Sequence, residues 1–164
     1  LLTRTKKIIL IVVLAAVVLA VATVILPSVL GGETFTVAEL ERLADKDIPA
    51  AVYLWLEENK HSEGFGAFYS QGWVYLAVRM GQRPTGGYSV HLGDAQANGD
   101  ITVKVHYKTP KPWDMVTQVI TYPRTAVKVE CPEGPPRAAI FLSVKDAVLA
   151  KVDIINLDDA EKAE

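Results

Sequence analysis

Cysteine and histidine are the side chains in this 164-residue sequence with chemistry of their own: Cys131, His61, His91 and His106. A nucleophilic thiol needs a setting that favours thiolate. Cys131 stands between Glu130 and Pro132, and the adjacent carboxylate disfavours that form. His91 and His106 fall on the polar face of two alternating stretches, "YSVHL" (88–92) and "ITVKVHY" (101–107). Pairing Leu92 with Ile101 places His91 opposite Thr102 and His106 opposite Gly87. In that register the imidazoles are several residues apart, and no carboxylate stands beside them at ligand spacing. They read as solvated histidines. No glycine-rich phosphate loop runs into a helix. The expectation is therefore a non-catalytic chain with no metal and no cofactor.

Two loops carry the remaining unusual chemistry. Arg83-Pro84-Thr85-Gly86-Gly87-Tyr88 separates two apolar runs. Pro84 fixes φ, the glycine pair permits positive φ or close approach of another backbone, and Tyr88 restarts a strand. "TPKPWDMVTQVITYP" (109–123) places Trp113 and Asp114 after two prolines. A loop tryptophan either covers its own core or anchors a partner, and both readings stand at this point. Thr85, Gly86, Gly87, Tyr88, Trp113 and Asp114 are the candidate partner-binding residues.

The elements that must position these loops follow from hydrophobic periodicity. Thr36-Val37-Ala38-Glu39 has the spelling of a capping box and predicts a short helix to about Ala44. Asp47-Ile48-Pro49 opens a second helix through about Asn59, with Val52, Trp55 and Leu56 on one face and Glu57 and Glu58 turned to solvent. "WVYLAVRM" (73–80) puts Val74, Leu76, Val78 and Met80 on one strand face. Tyr88, Val90, Leu92, Ile101, Val103, Val105 and Tyr107 face inward from a hairpin turned at Asn98-Gly99-Asp100. Further strands are predicted at 115–122, 125–129, 138–144 and 147–155, punctuated by prolines that break long exposed edges. The fold class is α+β: a mainly antiparallel sheet or sandwich with one or two N-terminal packing helices, preceded by a single transmembrane helix.

That last element is Ile8–Leu26, nineteen residues with Thr23 as the only polar one. At a rise of about 1.5 Å per residue it matches a bilayer core of roughly 30 Å. Arg4, Lys6 and Lys7 precede it, which predicts a cytoplasmic N-terminus and an extracytoplasmic domain. Ala20-Val21-Ala22 offers a small-x-small cleavage site, but the apolar run continues past it, so an uncut anchor is expected, with secretion the outcome of cleavage. No cysteine follows for lipid attachment. The first 30 residues hold three of the seventeen basic residues and no acid, leaving the remainder 14 basic against 19 acidic, a net −5. That balance points away from nucleic acid. The expected organisation is an anchor at 1–30, a linker and short helix at 31–48, a β-rich domain at 49–155 and an acidic tail at 156–164.

"YLAVRMGQRPTGGYSVHL", then "VKVHYKTP", then "MVTQVITYP" resemble, in order and spacing, the C-terminal domain of PrcB-like proteins, the protease-stability-complex family. The resemblance covers roughly residues 50 to 130. Its most specific pieces are Thr85 to Tyr88 after Pro84, and Gln118 with Thr121, Tyr122 and Pro123. It implies an exported, non-catalytic domain that associates with a subtilisin-like protease. A fainter similarity is to the chagasin-like inhibitors of papain-type proteases, through Arg83-Pro84-Thr85-Gly86-Gly87 and Lys111-Pro112-Trp113. In that alternative the loops at 83–88 and 111–114 would plug a protease cleft, although the middle glycine-rich loop of those inhibitors has no clear counterpart in Gly93 to Gly99.

Overall fold

A computed structural model describes residues 33–35, 40–132 and 134–161. The predicted anchor Ile8–Leu26 and the capping box Thr36–Glu39 lie outside the described residues. Among those described, no helix is long and apolar enough to cross a membrane.

The unit from Glu33 onward is built on two five-stranded sheets. In chain order the elements are β1 (Glu33–Phe35), β2 (Glu41–Arg42), a 3-10 turn (Asp45–Asp47), α1 (Ala50–Glu58), β3 (Glu63–Ser70), β4 (Trp73–Met80), β5 (Ser89–Asn98), β6 (Asp100–Lys108), β7 (Arg124–Glu130), β8 (Ala138–Ser143), β9 (Val148–Asp153), β10 (Ile155–Asn156) and α2 (Leu157–Glu161). One sheet runs β1-β5-β6-β8-β9, and the other β10-β3-β4-β7-β2. Pairing is antiparallel except for β6 with β8 and β10 with β3. The expected sandwich is therefore present, with mixed sheets.

Burial explains which strands alternate. Val74, Leu76 and Val78 of β4, Val127 and Val129 of β7, and Val90, Leu92, Ile101, Val103, Val105 and Phe141 form one buried cluster. The other face of β4 is closed as well, because Val52 and Leu56 of α1 pack on Phe68, Ala77 and Ala126. Covered on both sides, β4 is nearly all apolar, whereas β6 alternates buried and half-buried residues through His106. Arg79 is buried where α1 crosses the sheet. Its Nη1 donates to the Trp55 carbonyl at 2.7 Å and its Nε to the Ser62 carbonyl at 3.2 Å. Its guanidinium carbon lies 4.1 Å from the centre of a Trp55 ring, and burial lowers its pKa.

Several expectations are corrected. Glu41–Arg42 is a strand paired with β7, not the end of a helix, because Leu40 and Leu43 beside it are drawn into buried positions. Glu33–Phe35, read as linker, pairs with β5. β3 went unanticipated because its sequence, "EGFGAFYS", carries glycines where larger side chains would collide with neighbours. A Cβ on Gly64 would stand 2.7 Å from the Arg79 guanidinium, and one on Gly66 3.0 Å from Trp55. Glu57, expected in solvent, is half-buried and paired with Arg124 and Lys60. The segment 115–122 is not a strand; within it only Thr121 pairs in β fashion, with Arg83. The start of the acidic tail is a short helix, in which Asp158 accepts hydrogen bonds from Ser70 Oγ at 2.8 Å and the Gln71 amide.

Candidate functional site

Topology brings the two unusual loops together. The chain leaves β4 in one sheet, crosses to the β5–β6 hairpin in the other, and returns to β7 beside β4. The pairs Arg79 with Arg124 and Ser89 with Lys108 place both crossings, 81–88 and 109–123, at one end of the sandwich.

Hydrogen bonds then join them. Met80 donates its amide to the Pro123 carbonyl at 2.9 Å. Pro123 has no N–H to return, which interrupts the ladder. Pairing resumes at Arg83 and Thr121, whose amides and carbonyls exchange bonds of 2.9 and 3.0 Å. The Gly86 amide donates to the Thr117 carbonyl at 2.8 Å, and Thr121 Oγ1 donates to the Thr85 carbonyl at 2.8 Å.

The glycine pair is explained by this approach, with a different reason at each position. Gly86 does not hold positive φ, but a Cβ there would lie 2.4 Å from Thr117 Oγ1. Gly87 has φ +84°, and its Cβ would meet Val116 at 2.7 Å and Pro110 at 3.1 Å. Tyr88 is half-buried against the core. Tyr122 is half-buried too, edge-on to His61 with ring centres 5.0 Å apart. Gln118 is exposed and reaches only the Val116 carbonyl, at 3.4 Å.

Beyond this pinned base the second loop projects outward. Lys111-Pro112-Trp113-Asp114 forms a turn in which the Asp114 amide donates to the Lys111 carbonyl at 3.0 Å and Asp114 Oδ2 accepts the Lys111 amide at 2.9 Å. Asp114 thus shapes the turn, and Trp113 stands near its tip. Trp113 is 75% exposed, Met115 102%, Val119 62% and Ile120 53%. Trp113 is therefore no lid on the domain's core. Scattered apolar side chains on a surface are ordinary, but four within one eight-residue stretch form a local apolar patch.

The chemistry around the base is polar and mostly satisfied. Tyr107, expected to face inward, is partly exposed at the end of β6 and donates its hydroxyl to Glu63 at 2.5 Å. Burial raises its pKa most, and the Glu63 hydrogen bond and charge raise it further, against the opposing charge of Arg83. Arg83 lies over the Tyr88 ring, 5.8 Å from its centre.

The histidine geometry differs from expectation. β5 continues through Asn98 with an irregularity between Gly93 and Gln96, so Leu92 pairs with Val105 and His91 stands directly opposite His106. His91 Nε2 shares a hydrogen bond with Ser89 Oγ at 3.1 Å. No group of three or more metal-ligating side chains occurs among the described residues.

Taken together, the fold and loops define a two-sheet β domain that presents an apolar loop on a hydrogen-bonded base. Residues 74–130 match the model of the PrcB C-terminal family, the family the sequence resembles. The match runs from β4 to the end of β7 and so contains both loops and their crossings. No curated protein and no solved structure matches the chain.

Proposed function

We propose that this chain is a non-catalytic binding module that docks a protease through the loop at 109–123, braced by 83–88, and stabilises it. The observation that carries this reading is the exposed apolar run from Trp113 to Ile120 on a base fixed by at least four hydrogen bonds. Such a loop loses little further entropy on docking, because its root is already ordered. The match of residues 74–130 to the PrcB C-terminal family supports a protease as the class of partner. Ile8–Leu26 would hold the domain outside the cytoplasm, with Arg4, Lys6 and Lys7 on the inner side.

A fragment covering 31–164 should bind a subtilisin-type protease and prolong its active lifetime. Trp113→Ala should weaken that binding by about 2 kcal/mol, as loss of an aromatic anchor does, while leaving the melting temperature unchanged. Wild-type affinity in Trp113→Ala would defeat the assignment of the loop. The adjacency of 83–88 and 111–114 also favours a second reading, a cleft-plugging inhibitor. Dose-dependent inhibition of a papain-type or subtilisin-type protease, abolished by Trp113→Ala, would select it. For topology, external protease on intact spheroplasts should digest the domain and spare the N-terminus; a protected domain would reverse the orientation.

A further inference from the structure

The charges at the base of the loop pair are unevenly matched. Its nearby acids are engaged: Glu63 accepts the Tyr107 hydroxyl, and Asp114 closes the turn on the Lys111 amide. Its cations Arg83, Lys108 and Lys111 form no ion pair among the described residues, and two of them lie over aromatic rings. Arg83 is half-buried, and its Nε is sealed from solvent with no hydrogen-bond partner. No carboxylate of the described residues lies within ion-pair distance of it. Lys108 is exposed, and Lys111 lies over the Trp113 ring, 5.7 Å from its centre. A buried N–H without a hydrogen-bond acceptor is costly, so a guanidinium that carries one and has no ion-pair partner favours an anion. The backbone of Arg83 is bonded to Thr121, the residue after the exposed Val119-Ile120 pair. The domain as a whole is acidic, yet from Arg83 through Tyr122 this end offers three such cations beside an apolar loop.

We infer that the loop pair takes an apolar polypeptide segment bearing a carboxylate, which pairs with Arg83 while its apolar side chains cover Trp113, Met115, Val119 and Ile120. This rests on the docking role proposed for the loop and names the chemistry of its partner. Arginine suits the task because its planar fork meets a carboxylate through two parallel hydrogen bonds.

The probes are two acetylated, amidated peptides, Leu-Leu-Glu-Leu-Leu and its Gln counterpart, titrated into isotope-labelled 31–164 and followed by NMR. The Glu peptide should shift the Arg83 Nε–Hε and Trp113 indole signals and bind about tenfold more tightly than the Gln peptide. Arg83→Gln should erase that preference, and Arg83→Lys, which keeps the charge without the fork, should retain part of it, with melting temperatures confirming that both fold. Trp113→Ala should weaken both peptides alike. Equal binding of the two peptides, or a preference that survives in Arg83→Gln, overturns the carboxylate assignment while leaving the loop as a docking site. No Arg83 shift at millimolar peptide overturns it as well. Concentration-dependent broadening of Trp113 without peptide would put a second copy of the chain on the loop instead. Loss of protease binding in Trp113→Ala is read separately, so the two proposals fail independently.

Discussion

At the scale of single residues, Gly86 and Gly87 look interchangeable in sequence and are not so in the fold. Gly86 is needed for space, and the crowding atom is one side-chain oxygen, Thr117 Oγ1. Removing that oxygen should make room, since the next contacts of a Cβ there are ordinary, at 3.6 and 3.7 Å. Gly86→Ala should therefore destabilise the domain by about 1–2 kcal/mol, and Thr117→Ala should recover most of the loss. Gly87→Ala should cost about 1–3 kcal/mol with no rescue by Thr117→Ala, because its penalty includes the backbone at φ +84°. Thermal melts of the three single variants and of the two doubles that combine Thr117→Ala with each glycine change decide this; equal rescue of both glycines would refute the distinction. A glycine pair in the sequence permits close approach. The identity of the approaching chain is set by contacts some thirty residues away, Thr117 against Gly86.

At the scale of elements, α1 is held by apolar contacts below and by ion pairs at its side. Glu57 accepts a hydrogen bond from Arg124, and another from Lys60 at 3.2 Å; these bonds, Arg124 first, hold its carboxyl below the ordinary value of 4.5 despite opposing desolvation. A carboxyl that binds protons less readily when folded adds stability above its unfolded pKa, and that contribution fades as pH falls through the folded value. Glu57→Gln should thus flatten the fall in melting temperature on acidification below roughly pH 4.5. An unchanged acid limb would remove the pair from the account. Leu56→Ala, which empties a fully buried position under the same helix, should cost about 2–5 kcal/mol at every pH. This helix was legible from Val52, Trp55 and Leu56, as were β4, β6, β7, β8 and β9 from their apolar patterns. The illegible elements have physical reasons. β3 hides behind Gly64 and Gly66, which make room for Arg79 and Trp55 from other elements. The apolar pattern of 115–122 suggests a strand, but Met115, Val119 and Ile120 face solvent instead of a core. The His91–His106 pairing was missed because the alternating segments suggested a shorter hairpin than the one that forms.

At the scale of the whole molecule, the segment matching the PrcB C-terminal family supplies the centre of the sandwich but not all of its walls. β4 and β7 are neighbours in one sheet and β5 and β6 in the other, and the loop pair spans between them at one end. The exposed flank of β6 is filled by β8, which lies beyond the match and runs parallel to it, with Val103 beside Phe141. Phe141 and Ala139 are fully buried in the main cluster. Farther along, β9 extends that sheet, and the chain then crosses to the other, where β10 pairs with β3. The described residues beyond Glu130 thus add strands to both sheets. A chain ending at Glu130 should leave Ile101, Val103 and Val105 without their cover. Emptying the Phe141 position alone is worth about 3–5 kcal/mol, a large part of the 5–15 kcal/mol that stabilises an ordinary domain. The 31–130 fragment should therefore show neither a cooperative melt nor dispersed amide signals, whereas 31–164 should show both. Phe141→Ala in the longer fragment should lower its melting point without altering the affinity of the folded fraction for a loop-binding partner, because Phe141 is fully buried in the main core cluster. A cooperatively folded 31–130 would make the C-terminal strands an appendage and confine the folding unit to the matched segment.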